Sequence, residues 1–197
     1  VRDAAFNDSL WANATSYVNP AVYVVLIDTA SSFIAQNNVQ SMLKLKLWTE
    51  TETTTSYFSG LTLMKTGSVT DAEIPEVALW YDNGDGILSG NDTRISNLVS
   101  VSNSSAILTT VAGFENQAGL NTSTKTYFVT AKTLATALPY NGFALNVLSA
   151  NSFALGAPST PRIIDSNLPF TTSVSTISDA ISSISMTSTS SLVSSEV

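Results

Sequence analysis

The stretch of this chain richest in groups that can do chemistry is YDNGDGILSGND, residues 81–92. Oxygen-bearing side chains lead up to Gly86 and a carboxylate closes the stretch at Asp92, the pattern by which a short loop wraps Ca²⁺. With Gly86 at the sixth position of such a loop, Asp85 and Asn83 stand fifth and third. The Ile87 carbonyl falls seventh and Asp92 twelfth. The first position is Tyr81, and the nearest carboxylate, Asp82, is one residue out of register. Asp82, Asn83, Asp85, Ile87 and Asp92 are therefore the candidate ligands of a possible Ca²⁺ ion. The same residues also read as a plain hairpin turn, because Asn-Gly and Asp-Gly supply the positive φ that turns VALWY back into TRISN.

Catalytic chemistry has few candidates beyond this loop. The chain has no His and no Cys, which removes His-based triads, thiol nucleophiles, disulfides and Cys/His zinc sites. No Gly-x-Ser-x-Gly elbow and no phosphate-binding Gly loop is present. Asp71, Glu73 and Glu76 lie close together, but beside Pro75 and a strand start they read as a solvated turn. No catalytic residue is expected, and no cofactor is required. Trp11, Trp48 and Trp80, with Tyr23, Tyr57 and Tyr81, could form a sugar-stacking platform, although aromatics at alternating strand positions more often pack across strands.

Five Asn-x-Ser/Thr acceptors for N-linked glycans occur, at Asn7, Asn13, Asn91, Asn103 and Asn121. Composition alone gives about four, so their number says nothing. Their placement says more, since Asn91, Asn103 and Asn121 fall in expected loops, where an acceptor must be exposed.

The elements around these residues read as β almost throughout. In 197 residues only 12% are charged and the net charge is −7, which argues against nucleic acid as a partner. MLKLKLW alternates Leu43, Leu45 and Leu47 against Lys44 and Lys46. GLTLMKTG repeats the pattern through Leu61 and Leu63, and EIPEVALWY places Val77, Leu79 and Tyr81 on one side. Further strands are expected at RISNLVSVS, AILTTVAGF, KTYFVTAK and GFALNVLSANSFAL. Short strands at this spacing, with no amphipathic helix between residues 40 and 155, predict an all-β fold: an antiparallel Ig-like or jelly-roll-like sandwich. The longest apolar run, AVYVVLI (21–27), is too short to span a bilayer.

The two ends differ from this body. Val1 at the first position suggests a leader already removed. As a strand, residues 1–18 carry Ala4, Phe6, Leu10, Ala12, Ala14 and Val18 on one face, broken by Arg2, Asp8 and Ser16, with Asn7 and Asn13 on the other. Phe6, Leu10, Ala14 and Val18 are also four apart, as on a helix, but the Asn, Asp, Ser and Thr among them are weak helix formers and favour the strand. From Thr171 the chain is more than half Ser and Thr, with Val174, Ile177, Ile181 and Ile184 at helical spacing. This divides the chain into an N-terminal arm (1–18), a sandwich head (19–170) and a C-terminal arm (171–197).

GSVTDAEIPEVALWYDNGDGILSGNDT together with TKTYFVTAK resembles β-sandwich modules of bacterial and archaeal surface proteins, over roughly residues 40–150. Across the whole chain, the layout resembles archaeal donor-strand filaments of the thread and bundling-pilus kind. Those have an N-terminal strand arm, a Cys-free Ser/Thr-rich sandwich, many N-glycans and no type IV pilin helix. The resemblance implies an extracellular, cell-surface homopolymer in which the arm of one subunit pairs with the sandwich of the next. A secreted Ca²⁺- or carbohydrate-binding module, or a surface-layer or adhesin component, is the alternative.

Overall fold

The computed structural model describes residues 21–50, 56–156, 162–164 and 167–179. The arm expected at 1–18, with its alternating apolar face and Asn7 and Asn13, lies outside them, as do Trp11, Ile181 and Ile184. In chain order the strands are β1 (Ala21–Asp28), β2 (Phe33–Ala35), β3 (Val39–Thr49), β4 (Ser56–Gly67), β5 (Glu76–Tyr81), β6 (Thr93–Arg94) and β7 (Ser105–Thr109). After a four-residue helix, α1 (Glu115–Ala118), come β8 (Gly119–Leu120), β9 (Lys125–Lys132), β10 (Gly142–Val147), β11 (Phe153–Gly156), β12 (Arg162–Ile164), β13 (Phe170–Thr171) and β14 (Ser175–Ser178).

They form an all-β sandwich. One sheet runs β12-β1-β3-β9-β5-β6 and the other β11-β4-β10-β14-β2, with β7 and β8 also on β4 and β13 also on β10. Alternation explains the interior. Leu43, Leu45 and Leu47 are fully buried, while Lys44 and Lys46 lie half-buried on the opposite face. Val22, Val24 and Leu26 of β1 face the same core, opposite Phe58, Leu61 and Leu63 of β4 and Phe143, Leu145 and Val147 of β10. Phe58 meets Tyr127 edge-on at 5.2 Å, which brings the two sheets into contact. Each large apolar side chain removed from water in this way contributes about 1.5–3 kcal/mol.

Pairing is antiparallel in most ladders, but β1–β12 and β14–β2 are parallel. The run RISNLVSVS is not one strand. Only Thr93–Arg94 pairs with β5, and thereafter Val99 bridges Val77 while Ser96 bridges Thr110. Residues 93–111 thus step from the edge of the first sheet to β7 of the second and stitch that side of the sandwich. GFALNVLSANSFAL is likewise two strands, β10 and β11, separated by a 3-10 turn at Ala150–Ser152. The Ser/Thr-rich segment belongs to the second sheet as far as Ser178. Thr171 pairs with Asn146, and Ile177, fully buried, pairs with Ile34, so residues 175–178 are strand and not helix.

Where β4 ends, Lys65 is buried. Its amine donates to the Val69 carbonyl and stands 3.3 Å from Asp71. Glu73, also buried, accepts from the Thr70 amide (2.7 Å), the Thr70 hydroxyl (2.8 Å) and the Leu138 amide (2.7 Å). The acidic run at 71–76 is therefore packed joinery rather than the solvated turn expected, because donors from two distant segments converge on it. Glu76, at its end, pairs with Lys132 at 3.1 Å.

Candidate functional site

Two features of the sandwich offer chemistry or recognition: the loop between β5 and β6, and the outer edge of β1. The loop joins an antiparallel pair in which Trp80 lies opposite Arg94 and Tyr81 opposite Thr93, so VALWY does turn back into TRISN. Asp82 takes over where β5 ends. Its Oδ1 accepts the Gly84 and Gly86 amides at 3.1 Å each. Both glycines have positive φ, 111° and 77°, which lets the chain curl tightly around that carboxylate. Asp92 braces the far side, accepting the Asn83 amide at 3.0 Å and the Ser89 amide at 2.7 Å. Asp85 is exposed and accepts the Ile87 amide at 3.0 Å.

One oxygen from each of Asp82, Asp85 and Asp92 lies within 4.8 Å of the other two. Oxygens on opposite sides of a Ca²⁺ ion with ligand distances of 2.3–2.6 Å would be about 4.6–5.2 Å apart. The three carboxylates therefore have the spacing to hold a hard divalent cation. The three acidic candidates thus come together. The Asn83 side-chain oxygen accepts the Asp85 amide (3.2 Å), and Ile87, whose carbonyl is the remaining candidate, has its amide on Asp85. Counting from Gly86 put Tyr81 in the first ligand place, but its ring packs edge-on against Tyr127 at 5.7 Å. Asp82, the next residue, brings the nearest carboxylate into the group. A neighbour that no local pattern marks is Lys44, 42 residues before Gly86, which donates to the Gly86 carbonyl at 2.7 Å and sits 5.6 Å over the Phe128 ring.

At the edge of the first sheet, the Thr29 amide donates to the Met42 carbonyl, which fixes the phase of the β1–β3 ladder. Odd-numbered residues of β1 bond to β3, so the even ones, Val22, Val24, Leu26 and Asp28, turn their N–H and C=O outward. β12 covers this edge in register only at Ala21–Tyr23. From Val24 to Asp28 no strand pairs with it among the described residues. The edge of β2 is treated differently: the Ala35 carbonyl accepts both the Thr133 hydroxyl (2.9 Å) and the Asn38 amide (3.2 Å).

The aromatic candidates disperse. Tyr23 stacks on Trp48 across β1 and β3, centroids 5.4 Å apart, with the Tyr23 hydroxyl on Glu50. Trp80 donates to the Thr130 hydroxyl at 3.0 Å, and Tyr57 lies against α1 near Phe114. Asn91, Asn103 and Asn121 are all exposed on turns or loops. No helix among the described residues is long and apolar enough to cross a membrane.

Comparison with known proteins finds no matching family model and no matching curated protein. Among solved structures, a chain of a type I cohesin–dockerin complex from Clostridium thermocellum aligns over 81% of this chain and 99% of its own, at 9% identity and a TM-score of 0.37. A DUF4466 family protein from Parabacteroides merdae aligns over 73% of this chain and 45% of its own, with 10% identity and a TM-score of 0.36. AvmM, described as catalysing macrocyclization in alchivemycin A biosynthesis, aligns over 83% and 92%, with 11% identity and a TM-score of 0.36. All three scores lie below 0.5; the sandwich stands on its own strand pairing and core.

Proposed function

We propose that this chain is a structural subunit of an extracellular, N-glycosylated filament at the cell surface. In this reading it polymerises head-to-tail when the N-terminal strand of one copy pairs with the sandwich of the next. The observation that carries the reading is the outer edge of β1. It turns the N–H and C=O of Val24 and Leu26 outward, with no described strand alongside, while their side chains are buried in the core. An open edge of this kind is a template for another strand. Residues 4–18 supply a segment whose apolar side chains alternate, and they lead through Asn19–Pro20 directly into β1. Donor and acceptor then sit on one molecule, a heterologous contact that does not close on itself and so grows into a fibre.

Deleting residues 1–18 tests this. The truncated chain is expected to stay monomeric under negative-stain microscopy while the full chain forms filaments. A synthetic peptide of residues 1–18 is expected to bind the truncated chain one to one. Filaments of normal length from the truncated chain would refute the proposal.

The convergence of Asp82, Asp85 and Asp92 favours a second reading, a secreted Ca²⁺-binding module. The two are compatible, since the loop lies between β5 and β6, at the other end of the first sheet from β1.

A further inference from the structure

We infer that Asn103 carries an N-linked glycan whose first sugar lies down in a groove of this domain, so that the sugar acts as part of the fold. Three observations lead there. Asn103 and Ser104 form a two-residue hairpin turn with positive φ of 49° and 56°, and Ser102 and Ser105 exchange both backbone bonds, at 2.8 and 2.9 Å. That turn is anchored through both backbone groups of one residue. The Ser104 amide donates to Asp71 at 2.7 Å, and the Ser104 carbonyl accepts the Lys65 amide at 2.8 Å.

The exposed Asn103 side chain, held by this rigid turn, lines a groove of about 360 Å³, within the range of pockets that take small molecules. Its lining is mainly apolar, with Val99 and Ile107 as the aliphatic side chains and Ser100, Ser102 and Ser105 beside them. Ile107 is 63% exposed, an uncovered aliphatic side chain beside a modifiable amide. An apolar groove of this kind suits the C–H face of a pyranose ring, whose hydroxyls can stay in solvent.

The covalent tether makes even a weak contact count, because attachment raises the local concentration of the sugar to the millimolar range. The other two exposed acceptors are built differently. Asn121 turns its side-chain oxygen back to the Ser123 amide at 2.9 Å, and Asn91 belongs to the acidic loop between β5 and β6.

Attachment itself needs a phosphate-activated glycan donor. The Asn103 Nδ2 forms a bond to the anomeric carbon and loses one proton, while the bond from that carbon to the donor phosphate breaks and the phosphate leaves with its electron pair. The inference stands apart from polymerisation, since the groove and the edge of β1 are separate surfaces.

The test uses Ser105→Ala, which abolishes the acceptor motif but keeps Asn103 and its positive-φ turn, with Ser123→Ala as the matched control at Asn121. Mass spectrometry of the protein from an N-glycosylating host is expected to find Asn103 modified. In that protein Ser105→Ala should lower the unfolding midpoint by about 2–4 °C and Ser123→Ala should not. In protein made without glycans, Ser105→Ala should have no effect. Adding Ile107→Ser should cancel the effect in the glycosylated protein. An unmodified Asn103, equal losses for the two variants, or a loss from Ser105→Ala that persists without glycans would each overturn the inference.

Discussion

Glu73 holds three donors from two segments, and its titration follows from them. Burial alone would raise its pKa, but the amides of Leu138 and Thr70, the Thr70 hydroxyl and the nearby Lys65 charge together hold it below the ordinary 4.5. Asp71 is held below 3.8 chiefly by the Ser104 amide, with Lys65 adding to it. A carboxylate with a depressed folded pKa stabilises fully above its unfolded value and loses that contribution as pH falls through the folded one. Stability should therefore be flat near neutrality, where no His titrates, and fall once the pH drops below about 4.5. Replacing Glu73 with Ala leaves three donors without their acceptor and should cost roughly 1–3 kcal/mol at pH 7. The variant should also lose less stability than the parent between pH 5 and pH 3, as read by thermal unfolding. Gly60 gives a second test at this scale. A β-carbon there would stand 2.3 Å from the Leu108 carbonyl oxygen, so Gly60→Ala must push β7 from β4. Its unfolding midpoint should drop sharply; a midpoint equal to that of the parent would contradict the close approach of β4 and β7.

At the scale of the element, the β5–β6 loop separates two roles that its carboxylates share. Asp92 braces the loop through two backbone amides, so Asp92→Ala should destabilise the protein with or without Ca²⁺. Asp85 is exposed and, among the described residues, accepts just the nearby Ile87 amide, so Asp85→Ala should lower the midpoint markedly in Ca²⁺ and little in chelator. Equal losses from Asp85→Ala in both conditions would leave a turn without a bound ion. Much of this element was legible beforehand: the hairpin, the acidic residues and the enabling glycines all show in YDNGDG. The count already offers Asp82, one residue out of register; what it does not give is that the Gly84 and Gly86 amides both turn onto that carboxylate, because this depends on how the loop closes. Similarly, MLKLKLW announced its buried face, since period-2 alternation is local. β14 gave no such signal, because STIS holds one apolar residue, Ile177, whose burial depends on β10 and β2 being in place. The parallel register of β12 on β1 joins residues about 140 positions apart, beyond the reach of any local pattern.

For the molecule as a whole, the edge of β1 sets the expected behaviour. The Val24 amide points away from β3, so a proline there removes no bond of the β1–β3 ladder. Val24→Pro should leave the monomer folded, with near-parental far-UV circular dichroism, while abolishing filaments. Normal filaments from a folded Val24→Pro chain would place the acceptor elsewhere. On the far side of the sandwich, single bridges of Val77 with Val99 and Ser96 with Thr110 tie the crossing segment to both sheets.

The ladder between β1 and β3 also has a mechanical consequence. Its seven residue pairs run from Val22 opposite Thr49 to Asp28 opposite Leu43. A pull on Ala21 along the axis of β1, with the body of the domain held, cannot open these pairs one after another. It must slide β1 past β3 and strain all seven together, and at the same time drag Val22, Val24 and Leu26 out of the core. Tension that enters through the residues before Ala21 is thus resisted in shear, the direction in which a β-ladder yields last.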